Sequence, residues 1–243
     1  MSFSRRLTAR LVLGCSLVMS VVVGCGDDPD VLPAARGFDS SRVVSVESLS
    51  CNNRTVRGTA LRLDDGVYLT AAHNVRDSRE IEVADIAVNF VAIDRRPDLA
   101  LLVVDESVDL TTIDTSEWTT NDSDRTAAIV TTTSARSTAV GADVIVRATR
   151  PDGSQREWLG TSVLSTVSFG ESGSALVQSG APIGLVVQAV KNQERAFAVA
   201  AAEVREFVAK VTSVRAFPET HYPGQSPTDH EAGAVHLVGS TCS

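Results

Sequence analysis

Short apolar segments separated by polar turns run from Val43 to Ala189, and their close spacing limits the fold more than any other feature. Turn signals such as Asp64-Asp65-Gly66 separate segments of strand length. Because no helical pattern intervenes, such strands pair antiparallel, which predicts an all-β barrel or sandwich architecture. The first series comprises "RVVSVESLS", "TVRGTALRL", "GVYLTAA", "IEVADIAVNFVAI" and "LALLVV". After the polar break "TSEWTTNDSDR", the second series comprises "TAAIVTTT", "GADVIVRATR", "REWLGTSVLSTV", "SGSALVQ" and "APIGLVVQAV".

A helix is predicted after the second series, at about 200–214. Apolar residues recur at helical spacing in the stretch "AVAAAEVREFVAKVTSVR", namely Val204, Phe207, Val208 and Val211. Pro218 and the polar stretch "HYPGQSPTDHEAGA" follow it, and they indicate a C-terminal tail over 215–243.

The N-terminus has the pattern of an export signal over residues 1–24. A basic start, "MSFSRRLTAR", precedes the apolar "LVLGCSLVMSVVV" and the polar "GCGDDPD". Val22-Val23-Gly24-Cys25 resembles a bacterial lipoprotein signal, in which the chain is cut before the cysteine and Cys25 is acylated. This predicts an exported protein of the cell envelope, lipid-anchored to a bacterial membrane; the alternative is an ordinary secreted protein. Residues 25–42, rich in Pro, Gly, Asp and Ser, are typical of a flexible tether.

The cysteines are consistent with export. Four are present, and Cys15 and Cys25 belong to the signal region, which leaves Cys51 and Cys242. An even count in an exported chain predicts a Cys51–Cys242 disulfide, which would contribute about 5 kcal/mol in the chain-entropy model. The alternative is two free thiols, which an oxidising compartment disfavours.

The charge and the tail residues exclude some classes of ligand. A net charge of −8 and a pI near 5.0 argue against a nucleic-acid-binding surface. The potential metal ligands of the tail match no standard ligand spacing: His221, His230, Glu231 and His236. We therefore expect no metal site and no cofactor.

Three residues are candidates for nucleophilic catalysis. In "VSFGESGSALV", Ser172 lies between Gly170 and Gly173, a pattern that fits either a β-turn or a nucleophile elbow with an oxyanion hole. His73 is the only histidine before the tail, and Asp98 opens an apolar strand. Each residue alone has an ordinary structural explanation. Their order along the chain, each at a strand edge and divided between the two series, favours a catalytic set.

The strings around these residues resemble those of trypsin- and chymotrypsin-like serine proteases. "GTALRLDDGVYLTAAH" resembles the histidine segment of that family, "DLALL" its aspartate segment, and "GESGSALV" with "APIGLVV" its nucleophile and the next strand. The resemblance covers about residues 43–214. It implies two perpendicular six-stranded antiparallel β-barrels, at about 43–115 and about 125–200. The active site would lie in the cleft between them, and the C-terminal helix would pack outside.

The resemblance also implies a role for each candidate residue. Ser172 would be the nucleophile, His73 its general base and then the acid, and Asp98 the group that holds the imidazole. The N–H groups of Gly170 and Ser172 would form the oxyanion hole. The implied activity is cleavage of peptide bonds through an acyl-enzyme, with a polypeptide substrate, and we expect a monomer.

The sequence departs from the family around the nucleophile. Glu171 stands where the family usually has Asp or Asn, and Ser174 follows Gly173 where a second glycine is usual. In members matured by cleavage, an Asp at this position pairs with the new N-terminus. Arg42-Val43-Val44 superficially resembles such a cleavage site, but Val43 is close to His73 in sequence, so we expect a protein that needs no cleavage.

The specificity pocket has a weaker signature. The resemblance implies that it is lined by Thr166, Val167 and Ser168 on one side, by Ala198 or Val199 on another, and by the strand that contains Val187. No acidic residue stands six positions before Ser172, where a pocket for Lys or Arg would carry one. We therefore expect a small or medium apolar side chain in this pocket.

Two alternatives to a simple protease follow from the same resemblance. The chain could be a catalytically inactive relative that acts as a binding module in the cell envelope. It also resembles the catalytic domain of periplasmic stress proteases that carry a peptide-binding PDZ domain. That domain needs about a hundred further residues, so we expect a form without it.

Overall fold

The computed structural model describes residues 32–105, 107–149, 155–190, 193–214 and 236–237. The predicted signal peptide, the acylation site Cys25, Cys242 and most of the tail lie outside these ranges. Within them, no helix combines the length and the apolar character that crossing a membrane requires.

The described chain consists of two antiparallel β halves followed by one helix. The N-terminal half contains β1 (Val43–Ser50), β2 (Thr55–Asp64), β3 (Val67–Ala71), β4 (Ser78–Val83), β5 (Ile86–Ala87), β6 (Phe90–Asp94) and β7 (Leu99–Val103). The C-terminal half contains β8 (Thr126–Val130), β9 (Ala135–Thr149), β10 (Gln155–Leu164), β11 (Ala175–Gln178), β12 (Ala181–Ala189) and β13 (Ala196–Ala200). The helix, α1, spans Ala201–Val214, and a two-residue strand from the tail, β14, spans His236–Leu237.

The two halves close differently. The C-terminal half is a closed six-stranded barrel in the order β10-β13-β12-β11-β8-β9. The N-terminal half is an open eight-stranded sheet, β14-β6-β7-β3-β2-β1-β4-β5, with the two-residue strands β14 and β5 at its edges. The predicted all-β fold with two β halves and a C-terminal helix is confirmed. The N-terminal half has eight strands instead of the predicted six, counting the two-residue β5 and β14, and it stays open because these edge strands do not pair with each other.

The core explains why the site-bearing strands are rigid. Every residue of β3 and β7 is buried, since one face of each strand packs inside the N-terminal half and the other packs toward the C-terminal half and α1. A strand buried on both faces reads as a continuous apolar run, as "LALLV" does. His73 follows β3 and Asp98 precedes β7, so both side chains start from fixed backbone.

Part of the predicted tether is packed rather than flexible. Residues 33–35 and 40–42 form short 3₁₀ turns, and the buried Ala35 joins the core between the halves. The amide of Gly180 donates to the carbonyl of Ala34 at 3.1 Å. Residues 32–42 therefore belong to the folded unit, which corrects the prediction for that part of the chain.

The polar break between the halves is likewise a packed connection. Trp118 within it is 1% exposed and lies in the core between the halves. Arg205 of α1 donates to the Trp118 carbonyl at 2.7 Å. The buried indole and this backbone hydrogen bond therefore anchor a segment that the sequence shows only as a polar break.

Cys51 lies in the turn between β1 and β2 and is disulfide-bonded. Cys242 lies outside the described residues, so its pairing with Cys51 stays a prediction. Close to Cys242 in the sequence, β14 of the tail pairs with β6, and His236 lies opposite Ile93. The tail therefore returns to the N-terminal half.

Candidate active site

His73 is presented by a short 3₁₀ turn, Ala72–Asn74, directly after the buried strand β3. Its side chain is 32% exposed. The amide of Ala72 donates to the Asp98 carbonyl at 2.8 Å, which joins the histidine turn to the aspartate loop through the backbone.

Both carboxylate oxygens of Asp98 contact His73. Oδ2 lies 2.8 Å from Nδ1 of the imidazole, and Oδ1 accepts the His73 backbone N–H at 3.1 Å. The Asp98 side chain is only 5% exposed. An ionised carboxylate can only accept, so Nδ1 carries a proton, and in the neutral imidazole the lone pair is then on Nε2. The imidazole is therefore held as a base whose free nitrogen is Nε2.

The loop before Asp98 has an unusual backbone. Asp98 adopts φ +65°, in the left-handed region, which Asp tolerates better than most non-glycine residues. The buried carboxylate of Asp94 accepts the amide of Arg96 at 2.8 Å and thereby shapes the turn that leads to Asp98. This sharp return brings Asp98 from the end of β6 to the start of β7, beside the histidine turn.

Ser172 lies half-buried in a turn that two glycines make possible. Gly170 and Gly173 have φ +90° and +95°. At Gly173 an added Cβ would overlap the carbonyl oxygen of Thr59, so only glycine allows the two halves to approach this closely. At Gly170 the space beyond the backbone is open.

The N-terminal half holds the nucleophile turn by hydrogen bonds. The Ser172 carbonyl accepts from the backbone N–H of Thr59 at 2.8 Å and from Nδ2 of Asn74 at 2.9 Å. Thr59 also donates its hydroxyl to the Gly170 carbonyl at 2.9 Å. Asn74 directly follows His73, so the predicted base and nucleophile are fixed to the same short segment. We call Thr59 and Asn74 the clamp.

Glycine at position 58 makes room for the clamp. A Cβ on Gly58 would overlap the Asn74 side-chain amide. Asn74 is 2% exposed, and its Nδ2 also donates to the hydroxyl of Thr70 at 3.0 Å. The buried amide is thus fully engaged at its nitrogen.

Glu171, between the two predicted oxyanion donors, is held by an arginine of β9. Nη1 and Nη2 of Arg136 lie 2.5 and 2.9 Å from the two Glu171 carboxylate oxygens. The amide of Ser168 donates to the same carboxylate at 2.6 Å, and Nη2 of Arg136 also donates to the carbonyl of Thr166 at 3.0 Å. A bidentate arginine is the strongest ordinary partner for a carboxylate, and here it fixes the loop before Ser172.

The predicted oxyanion donors have no partner among the residues that the structure describes. Within the described residues, neither the amide of Gly170 nor that of Ser172 donates a hydrogen bond. Among the same residues, no hydrogen bond joins the Ser172 hydroxyl to His73. In unliganded enzymes of this chemistry that contact is often long and tightens only when substrate binds.

The predicted pocket residues fall into two groups. Thr166 and Ser168 are exposed and Val167 is half-buried, in the loop before Ser172. Val187 and Ala198 are 2% and 0% exposed and belong to the apolar core. A specificity pocket at these positions stays a prediction.

Several site residues carried no signal in the sequence. Arg136 lies 35 positions from Glu171, and Thr59 lies 111 positions from Gly170. Only folding brings these pairs together. Asn74 adjoins His73 in the sequence, and Gly58 lies within the predicted strand "TVRGTALRL", but a single sequence does not show that Gly58 makes room for Asn74.

The fold is shared with solved proteases. The active form of the Rv3671c protease from M. tuberculosis matches with a TM-score of 0.58 over 70% of this chain and 80% of that one, at 19% identity. The HtrA-type protease AlgW, solved with a tripeptide, matches with a TM-score of 0.56 over 74% of this chain, at 20% identity. The fold is that of trypsin-like serine proteases.

A third solved protease shares this fold, and this chain spans only part of two of these proteins. The serine endoprotease from Yersinia pestis matches with a TM-score of 0.50 at 20% identity. This chain spans 64% of that protein's length and 63% of AlgW's. No protein-family model matches the chain, and no curated protein matches it.

Proposed function

We propose that the chain is an exported serine endopeptidase that cleaves peptide bonds through His73, Asp98 and Ser172. The main observation behind this proposal is that Oδ2 of Asp98 lies 2.8 Å from Nδ1 of His73. The turn that contains His73 is also hydrogen-bonded to the Ser172 backbone, through Asn74. On a trypsin-like fold, these groups have the chemistry of a base, its orienting carboxylate and a nucleophile.

The reaction follows from the arrangement of His73, Asp98 and Ser172. Its Nε2 takes the Ser172 hydroxyl proton as Oγ attacks the substrate carbonyl carbon, and the resulting oxyanion accepts from the N–H groups of Gly170 and Ser172. Each such donor is worth roughly 3 kcal/mol in the transition state. The imidazolium, stabilised by Asp98, then gives its proton to the leaving amine, and water releases the acyl group from Ser172.

The same proposal includes activity without activating cleavage. Arg136 already neutralises Glu171, the residue that would otherwise need a new N-terminus as its partner. Val43 is buried and paired with Leu61 at the start of β1. Arg42 donates Nη1 to Glu117 at 2.7 Å. A cut at this position would break strand pairing without providing an ion pair that Glu171 lacks.

Export and anchoring are also part of the proposal, and the N-terminal sequence supports them. We place the chain in the cell envelope, attached to a bacterial membrane by acylation of Cys25, with a Cys51–Cys242 disulfide in the exported domain. Metabolic labelling with a fatty acid should mark the wild-type chain and not Cys25→Ala. Labelling of neither would leave a plainly secreted protein.

Covalent labelling tests the catalytic proposal. The purified protein is treated with a fluorophosphonate and its intact mass is measured, with Ser172→Ala as the control. We expect one adduct on the wild type and none on the control, followed by cleavage of a peptide library after small or medium apolar residues. A folded wild-type protein that takes no label would contradict the protease and favour the inactive binding module.

A further inference from the structure

An arginine of the C-terminal half reaches across to Asp98. Nη1 of Arg156, on β10, lies 3.6 Å from Oδ2 of Asp98. This is the same oxygen that lies 2.8 Å from Nδ1 of His73. The Arg156 and Asp98 side chains are 16% and 5% exposed, so solvent screens this ion pair weakly.

Packing fixes the Arg156 guanidinium in this position. It lies over the ring of Trp158 at 4.8 Å from the centroid, and Trp158 itself is 1% exposed. Nη1 also donates to the backbone carbonyl of Arg95 at 3.3 Å. A guanidinium stacked on an indole and bonded to a carbonyl loses little freedom when it also contacts Asp98.

A second ion pair ties the same loop to the C-terminal half. Nη2 of Arg96 lies 2.8 Å from Glu203, in the first turn of α1. Glu203 also accepts the amide of Leu159, on β10, at 3.0 Å. The aspartate loop of the N-terminal half is thus held by charged residues of β10 and α1.

The charges around Asp98 come from each element packed against it. His73 belongs to the turn after β3, Arg156 to β10, and Arg95 and Arg96 to the loop of Asp98 itself, with Glu203 of α1 bound to Arg96. The buried Asp94, at the end of β6, accepts the backbone N–H of Arg96 in the same turn. Of these, His73 and Arg156 lie within 4 Å of the Asp98 carboxylate, on the same oxygen. The imidazole and the guanidinium therefore share the negative charge of this oxygen.

We infer that Arg156 is a positioning residue for Asp98 that also offsets part of its negative charge and so disfavours the protonated form of His73. The catalytic consequence rests on the proposed function, but the effect on His73 does not. A cation near Asp98 disfavours protonated His73, because like charges repel. Removing that cation therefore stabilises the imidazolium.

The first test is a pH titration of His73 followed by NMR, which needs no catalytic activity. The variants are Arg156→Gln, Arg156→Lys and the control Arg147→Gln, which removes an exposed ion pair between β9 and β10. The resonance is assigned by its loss in His73→Gln. We expect Arg156→Gln to raise the titration midpoint of His73 by about 0.5 to 1 pH unit. Arg156→Lys should restore most of the wild-type midpoint, and Arg147→Gln should leave it unchanged.

The second test follows the rate of fluorophosphonate labelling against pH. Since the label needs neutral His73, Arg156→Gln should react about three to ten times more slowly near pH 6 and within about twofold of wild type at the alkaline plateau. An unchanged midpoint in both experiments, or a lower plateau with no midpoint shift, would overturn the inference and leave Arg156 a structural residue. If wild type takes no label while the NMR midpoint still shifts, the proposed function fails and the inference about Arg156 stands.

Discussion

Replacing Arg136 with methionine should destabilise the loop before Ser172 more than the loss of one surface charge would. Methionine keeps much of the aliphatic volume of arginine but leaves the Glu171 carboxylate without its bidentate partner. The amide of Ser168 would remain as a donor to Glu171. The loop would then hold a poorly solvated charge directly before Ser172.

The size of the effect follows from burial. The Arg136 and Glu171 side chains are 30% and 19% exposed, between the surface and the interior. Exposed ion pairs contribute about 0–1 kcal/mol, whereas breaking a buried pair costs about 3–5 kcal/mol. We therefore expect Arg136→Met to lower the free energy of unfolding by about 2 kcal/mol. For a domain of this size that corresponds to a melting temperature lower by about 4–8 °C.

Catalysis should suffer as well, because Glu171 lies between the two predicted oxyanion donors. Deleting one such donor outright costs about 10²–10³ in rate, so loosening the loop should lower the fluorophosphonate labelling rate about 10- to 100-fold.

The assay pairs thermal denaturation with the fluorophosphonate rate for three variants. The double variant Arg136→Met/Glu171→Gln should recover part of the stability, since it removes the unpaired charge. Arg57→Met, which breaks an exposed pair with Glu47, is the matched control and should change stability by less than about 1 kcal/mol. If Arg136→Met matches Arg57→Met in both stability and rate, the role assigned to the Arg136–Glu171 pair is refuted.

Three further predictions concern the contact between the halves and the disulfide. Gly173→Ala should lower the free energy of unfolding by about 3 kcal/mol or more, because its Cβ would overlap the Thr59 carbonyl. Gly170→Ala has open space around the new Cβ and should lose only about 1–2 kcal/mol to backbone strain at its positive φ. Equal melting temperatures of the two variants would contradict this. Asn74→Leu should lose about 1–2 kcal/mol of stability and about tenfold in labelling rate, since the clamp loses a buried donor; labelling at the wild-type rate would show that the clamp does not position the nucleophile. Cys51→Ser should lower stability by about 3–5 kcal/mol in denaturant titrations, and a reducing agent should do the same to wild type and nothing to the variant.

The strand pattern and the helix could be read from the sequence because both depend on local periodicity. Alternating and continuous apolar runs predicted the β halves, and the spacing of Val204, Phe207, Val208 and Val211 predicted α1, which ends as expected at Val214. Two segments fold differently from what their composition predicts. Residues 32–42 of the predicted tether and the polar break around Trp118 suggest unstructured connections by their composition, yet Ala35 and Trp118 are buried in the core.

The sequence by itself determined the candidate chemistry: a histidine, an aspartate and a serine in a fixed order, each at a strand edge, with glycines where the backbone must turn. Only the tertiary structure decided what surrounds them. The clamp of Thr59 and Asn74, the Arg136–Glu171 pair and the contact of Arg156 with Asp98 all join residues 25 or more positions apart, and all but one of these links cross between the halves. Local sequence sets backbone propensity and turn chemistry, whereas such pairings depend on how two β units meet, which no short stretch of the chain encodes.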